Sequence, residues 1–162
     1  MWQEVRNDAE IVDLMEQFGG FHDSCITGIA YESGAYVDKK NCMRMGEALP
    51  YSVTLRLQSQ WCKPIELLFL GVRKCSIVGY PCGWFCNLYG AHLAFHTDLC
   101  GNMTGITGVE RLLVWADDSD FRPADYRETT LPDQNSYTYI IAERLFWQFT
   151  EETPPAAKPE EE

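Results

Sequence analysis

The residue types of a Ser-His-Asp triad stand side by side in this sequence, as His22, Asp23 and Ser24, with Cys25 next. A working triad needs three side chains that converge from different parts of a fold. On an extended strand, however, His22 and Ser24 share one face and Asp23 points to the other. Ser24 also lacks the Gly-x-Ser-x-Gly turn that exposes a nucleophile. We therefore interpret the three residues as a structural motif, in which Asp23 or Ser24 bonds the backbone and His22 is a partly buried anchor.

A second cluster, HLAFHTD, contains His92, His96 and Asp98, and thus two of the three histidines of the chain. Histidines four residues apart share a face of a helix or of a strand, and with a carboxylate they can hold zinc. Leu93 stands where a zincin has its catalytic Glu. His92, His96 and Asp98 are the candidate metal ligands, with zinc as the alternative cofactor. The competing interpretation is a pair of ordinary hydrogen-bonded histidines.

The loop CGWFC separates Cys82 from Cys86 by three residues, whereas thioredoxin-type redox motifs have two. The spacing would suit structural zinc, but no second matching cysteine pair follows. We expect an aromatic loop with incidental thiols.

The candidate binding residues combine aromatic and acidic side chains. Aromatic anchors inside a polar rim are typical of protein-binding hot spots. The residues chosen on this basis are Trp84, Phe85, Asp117, Asp118 and Asp120. No catalytic residue is assigned.

The elements that position these residues begin with a helix. Asn7 is a helix cap, and Ile11, Leu14 and Phe18 fall on one face before Gly19 and Gly20 end the helix. About six strands follow, and they are drawn from SCITGIAYE, YSVTLRLQS, IELLFLGV, NLYGAHLAFHT, VERLLVWA and SYTYIIAERLFWQF. The last segment could instead be helical in part, and residues 33–50 are predicted to be a long connection.

These elements predict an α+β fold that is mainly antiparallel β, with the N-terminal helix followed by a curled meander or a sandwich. Residues 1–150 are expected to form a single globular domain. Residues 151–162, rich in proline and glutamate, are expected to form an acidic disordered tail.

The formal net charge is −11, from 13 basic and 24 acidic residues. Such a chain is poorly suited to nucleic acid, whose binding depends on Lys and Arg, and it favours a basic protein partner. No apolar run is long enough for a membrane helix. Seven irregularly spaced cysteines and a charged N-terminus predict free thiols in the cytoplasm.

The order helix, FHDS, VTLRLQS, LFLGV and ERLFW resembles small uncharacterised bacterial domains that open with an FHDS-type motif. Some of these are similar to immunity proteins of toxin systems. The resemblance implies a stoichiometric binding role without catalytic residues. We therefore expect a non-enzymatic protein-binding domain, with an immunity-type role as its more specific form, whose oligomeric state the sequence leaves open. The alternative is a small metal- or ligand-binding protein that uses His92, His96 and Asp98.

Overall fold

The structure is a computed structural model of the chain, and it describes residues 1–46, 51–79, 86–100, 109–123 and 137–151. Over these residues the chain forms one α-helix, α1 (Asp8–Gln17), and eleven strands. The strands are β1 (Gln3–Val5), β2 (Ser24–Glu32), β3 (Ala35–Val37), β4 (Met43–Met45), β5 (Ser52–Ser59), β6 (Ile65–Leu70), β7 (Lys74–Ser76), β8 (His92–His96), β9 (Leu112–Ala116), β10 (Tyr139–Ala142) and β11 (Arg144–Phe149).

The strands form three sheets, and every pairing between them is antiparallel. The five-stranded sheet has the order β1-β11-β6-β5-β2, and the four-stranded sheet has the order β7-β10-β9-β8. The third sheet is the hairpin of β3 and β4.

The prediction of an α+β fold with about six strands is wrong, because the described residues are mostly antiparallel β with a single ten-residue helix. Strands of three residues, such as β3 and β4, are too short to show an alternating pattern. Both lie in the segment that the sequence predicts to be a connection. In addition, two apolar runs that each predict one strand are interrupted by a bend. The first run forms β6 and β7, and the second forms β10 and β11.

The two larger sheets share one hydrophobic core. β5 alternates as its sequence predicts, with Val53, Leu55 and Leu57 buried. The four-stranded sheet contributes the fully buried Trp115, and α1 contributes Leu14. β9 is buried along its whole length, because its other face belongs to a second cluster of apolar side chains. A strand buried on both faces has a continuous apolar sequence instead of an alternating one.

The N-terminal helix has the capping that the sequence predicts. The Asn7 side chain accepts a 3.0 Å hydrogen bond from the Glu10 backbone N–H. After Phe18, which is buried, Gly19 and Gly20 take positive φ angles of 60° and 64° and turn the chain towards β2.

The two apolar runs form one bent ribbon that passes from sheet to sheet. β11 pairs with β6 in the five-stranded sheet, and β10 pairs with β7 in the four-stranded sheet. The bend lies at Gly71 and Glu143, where the Glu143 N–H donates to the Leu70 carbonyl at 3.1 Å. Arg73 forms an ion pair with Glu143 at the same place.

Within the described ranges, no helix is long and apolar enough to cross a membrane. The proposed acidic tail, apart from residue 151, lies outside the described residues.

Candidate functional site

The FHDS motif forms the corner at which the helical segment passes into β2. The Ser24 hydroxyl is buried and donates a 2.6 Å hydrogen bond to the Phe21 carbonyl. The Leu88 N–H donates to the Ser24 carbonyl at 2.8 Å. Ser24 therefore bonds the backbone of its own corner, and its oxygen does not face open solvent where a substrate would approach.

Asp23 connects three segments of the chain. Its N–H donates to the Leu88 carbonyl at 3.0 Å, and its carbonyl accepts from the Gln60 N–H at 3.0 Å. Its φ of 53° lies in the left-handed region, as does that of Phe21 at 64°. The backbone is therefore not extended across the motif, and the strand geometry assumed for His22 and Ser24 does not apply. Non-glycine residues in this region cost free energy and persist only where surrounding contacts fix them.

The side chain of Asp23 holds an exposed aromatic cluster. Its Oδ2 accepts the Trp61 indole N–H at 3.0 Å and lies 3.0 Å from Nδ1 of His22. The ring centroids of His22 and Tyr89 are 6.3 Å apart in an edge-to-face contact. We call His22, Asp23, Trp61 and Tyr89 the Asp23 corner.

The exposure of this corner is unusual for its residue types. Trp61 is 76% exposed and Tyr89 is 74% exposed. The His22 side chain is 57% exposed, so it is not the partly buried anchor that the sequence predicts. The hydrogen bond from Trp61, followed by the one from His22, lowers the pKa of the Asp23 carboxyl below its ordinary value. Asp23 is thus ionised at neutral pH, and it orients two ring systems that face solvent.

The acidic residues predicted to bind a partner form a turn next to this corner. Asp118 Oδ1 accepts the Asp120 N–H at 2.7 Å, and the Asp117 N–H donates to the Thr138 carbonyl at 3.0 Å. A Cβ built on Gly90, which follows Tyr89, would lie 3.5 Å from Cβ of Ser119. We call residues 117–120 the acidic turn, and the structure brings it beside the Asp23 corner.

Trp84 and Phe85, the other predicted binding residues, lie outside the described residues. Trp61 and Tyr89 were not among the residues predicted from the sequence. The sequence gives little indication of these two residues, because it does not show whether an aromatic side chain in a turn packs inward or faces solvent. Only the pairing of β2 with β5 and the bridge between Ser24 and Leu88 place them around Asp23.

The candidate metal ligands His92 and His96 do come together. Both lie on edge strand β8, with their Nε2 atoms 2.9 Å apart and their ring centroids 5.2 Å apart. The rings lean towards each other over the small residue Ala94. A contact of this length is a hydrogen bond in which one Nε2 donates and the other accepts. Burial, and then the neighbouring His96, lowers the pKa of His92, which favours its neutral form.

Asp98 does not join His92 and His96 at a common point. Its Oδ1 lies 3.5 Å from Nδ1 of His96, on the opposite side of the ring from the Nε2 contact. In the part of the chain that the structure describes, no three His, Cys, Asp or Glu side chains are placed to hold a metal ion. The described residues offer two imidazole ligands, with Asp98 behind one of them.

The six cysteines in the described ranges are free thiols, and they are Cys25, Cys42, Cys62, Cys75, Cys86 and Cys100. Burial raises the pKa of the Cys75 thiol. Burial, followed by the neighbouring Cys86, also raises the pKa of the Cys25 thiol.

Comparison with known proteins gives no match: no family model, no curated protein and no solved structure is similar to this chain. Any assignment of function therefore rests on the geometry of the molecule.

Proposed function

We propose that this protein is a non-enzymatic binding protein whose Asp23 corner and acidic turn dock a basic partner protein. The observation that carries the proposal is the exposure of Trp61 and Tyr89, at 76% and 74%, in a corner fixed by hydrogen bonds. Exposed aromatic side chains that are already oriented lose little conformational entropy when a partner covers them.

The arrangement has the composition of a binding hot spot. Trp and Tyr are enriched at hot spots, where surrounding polar residues exclude water from the aromatic centre. Here the polar rim is acidic, because Asp23 lies under the rings and Asp118 and Asp120 lie in the adjacent turn. An acidic rim attracts a positively charged surface, and the net charge of −11 extends that attraction to longer range.

Affinity capture from a lysate of the source cell at low and high salt, followed by mass spectrometry, tests the proposal. The expected result is one basic, nearly stoichiometric partner that is lost at high salt. Binding of the purified partner should weaken more than tenfold in Trp61→Ala, since truncation of a hot-spot residue costs about 2 kcal/mol or more.

Two variants serve as controls. Trp61→Phe keeps the ring and removes the N–H that bonds Asp23, so it should fall between the parent and Trp61→Ala. Trp2→Ala removes a tryptophan that is 39% exposed and lies before β1, so it should bind as the parent does. The proposal is wrong if no partner is enriched at either salt concentration, or if Trp61→Ala and Trp2→Ala bind equally well.

The immunity-like role is the finer form of this proposal, in which the basic partner is a toxin that the protein blocks at a one-to-one ratio. A cytoplasmic location belongs to the same proposal, and it is supported by the free thiols, which persist in reducing compartments. Toxin activity measured with added parent or Trp61→Ala protein would distinguish inhibition from simple binding.

A second candidate function is metal binding at His92 and His96, and the observation that favours it is the contact between their Nε2 atoms. His92 and His96 would hold a zinc ion through their imidazole nitrogens, which are common zinc ligands. Asp98 lies behind His96, where a carboxylate commonly orients a metal-binding imidazole.

Metal analysis of protein purified without a histidine tag tests this candidate. Stoichiometric zinc in the parent protein, lost in His96→Gln and retained in Asp98→Asn at reduced affinity, would support it. Less than stoichiometric zinc, iron or manganese would remove it and leave a hydrogen-bonded histidine pair.

A further inference from the structure

The hairpin of β3 and β4 exposes large apolar side chains to solvent. All six residues of its two strands are exposed, including Val37 at 64% and Met43 at 89%. The register places Val37 opposite Met43 and Ala35 opposite Met45, so these four side chains share one face. A two-stranded hairpin is marginally stable alone and is stabilised when a packing partner covers its face.

A pocket of about 560 Å³ lies where β2 runs into this hairpin. Tyr31, near the end of β2, and Tyr51, just before β5, line it together with Ile77. Both tyrosines and Ile77 are themselves exposed, at 57%, 38% and 58%. The pocket is thus an opening between edge strands β2 and β7, wide enough to receive an apolar side chain.

The charge of this region is opposite to that of the whole chain. Residues 31–46 and 71–77 contain five basic and two acidic residues, a net charge of +3 within a chain of −11. The basic residues are Lys39, Lys40, Arg44, Arg73 and Lys74. Asp38 pairs with Arg44 and Glu143 with Arg73, and when Glu143 and the next residue in sequence, Glu47, are counted as well, the net charge is +1. It would attract a negatively charged segment and repel a positively charged one.

This surface lies at the opposite end of the five-stranded sheet from the Asp23 corner. Glu32 pairs with Ser52 beside the hairpin, whereas Ser24 pairs with Ser59 beside the corner. Eight residues of β5 separate the two ends, which corresponds to about 25 Å. A partner at one end therefore leaves the other end uncovered.

We propose that the β3–β4 hairpin and the Tyr31–Tyr51 pocket form a second docking surface, which binds an acidic segment of another protein that carries a large apolar side chain. The apolar side chain enters the pocket between the two tyrosines, and acidic residues beside it meet Lys39 and Lys40 of the hairpin. Val37 and Met43 of the adjoining hairpin are exposed apolar side chains that a polypeptide partner can cover beyond the pocket. A two-fold pairing of this face with its own copy is disfavoured, because it would bring like charges together.

Fluorescence anisotropy with a labelled twelve-residue acidic peptide that has a central Leu-Phe pair tests the inference on the full chain. The expected result is saturable binding that weakens as salt rises. Tyr31→Ala should weaken it about tenfold, the range for loss of an aromatic contact. Lys39→Glu with Lys40→Glu should weaken it and reduce its salt dependence. All these positions are exposed, so circular dichroism should show an unchanged fold.

The matched controls separate this surface from the Asp23 corner. Trp61→Ala should bind the acidic peptide as the parent does, and Tyr31→Ala should still bind the basic partner of the corner. The inference is overturned if the peptide does not saturate, or if a peptide with Ser-Ser in place of Leu-Phe binds equally well. It is also overturned if the protein self-associates at the same concentrations and Tyr31→Ala restores the monomer, since the occupant would then be a second copy.

Discussion

Asp23 and Ser24 show how adjacent residues of one motif take different roles. Ser24 bonds the Phe21 carbonyl inside the corner, and Asp23 orients Trp61 and His22 outside it. The change of direction arises at the left-handed backbone of Asp23, with φ of 53°. The residue types alone suggest hydrolytic chemistry. In the structure, however, Ser24 hydrogen-bonds the backbone and Asp23 orients side chains at the surface.

Ser24→Ala should lower the free energy of unfolding by about 1–3 kcal/mol, because it leaves the buried Phe21 carbonyl without its donor. Chemical denaturation monitored by tryptophan fluorescence measures the change. Thr27→Ala is the matched control, since the Thr27 hydroxyl makes a longer 3.3 Å bond at an exposed position. Equal effects of the two substitutions would contradict the structural role of Ser24.

The pKa of His92 should lie below the ordinary value of 6.5, because its partly buried ring favours the neutral form. The unfolded chain then binds the proton more tightly than the folded one. Neutral His92 therefore contributes stability above pH 6.5 that is lost as the pH falls through the lowered pKa. An NMR titration of the ring protons measures the midpoint.

His96→Gln provides the control for that titration. It removes the neighbouring imidazole but keeps the burial, so the His92 midpoint should rise part of the way towards 6.5. A midpoint at or above 6.5 in the parent protein would show that the ring is not desolvated as the structure indicates.

At the scale of the elements, the bent ribbon of β6–β7 and β10–β11 connects the two larger sheets. Gly71 is required at the bend, because its φ is 64° and a Cβ there would lie 2.8 Å from Cδ of Glu143. The sequence shows only a glycine between two apolar segments, which is consistent with a bulge, a bend or a strand end. Whether Gly71 forms a bulge, a bend or a strand end depends on the partner strand, which is about 70 residues away in the chain.

Gly71→Ala should lower the free energy of unfolding by about 1–3 kcal/mol, through left-handed strain and the clash with Glu143. Gly79→Ala is the control, because a Cβ at Gly79 meets no atom within 4 Å and its φ is not positive. It should change stability by no more than about 0.5 kcal/mol. Comparable losses of unfolding free energy in Gly71→Ala and Gly79→Ala would contradict the special role of Gly71 at the bend.

At the scale of the whole molecule, the charge is distributed unevenly along the five-stranded sheet. The acidic turn and Asp23 lie at one end, and the basic hairpin and pocket lie at the other. The net charge of −11 alone predicts a uniformly acidic surface and a single kind of partner. Residues far apart in the chain are brought to the same end, so the two ends of the sheet differ in local charge.

Replacement of Asp117, Asp118 and Asp120 by Asn changes the net charge from −11 to −8 and keeps the side-chain oxygen that caps the turn. Binding of the basic partner should weaken several-fold at low salt, and its salt dependence should become flatter, because long-range attraction is lost. Binding of the acidic peptide should not weaken. Surface plasmon resonance over a salt series measures both, and an unchanged salt slope would exclude the acidic turn from the interface.

The sequence by itself determined the local features of this protein. It predicted the cap at Asn7, the alternation of β5, and the shared face of His92 and His96. These local features depend on residues that are close in sequence, so their spacing can be read directly from the sequence. The short strands and the strand order were not predictable, and the α+β prediction was wrong for that reason.

Tertiary structure alone decided which of these residues lie together. It placed Trp61 on Asp23 and Tyr89 against His22, and it put the acidic turn beside them. It also set Asp98 at Nδ1 of His96, away from the Nε2 contact with His92. The corner and the acidic turn depend on pairings across tens of residues, where the free energy of burying the whole core sets the register. A local sequence pattern does not specify that register. The sequence alone therefore did not show which side chains contact one another in the assembled sheets.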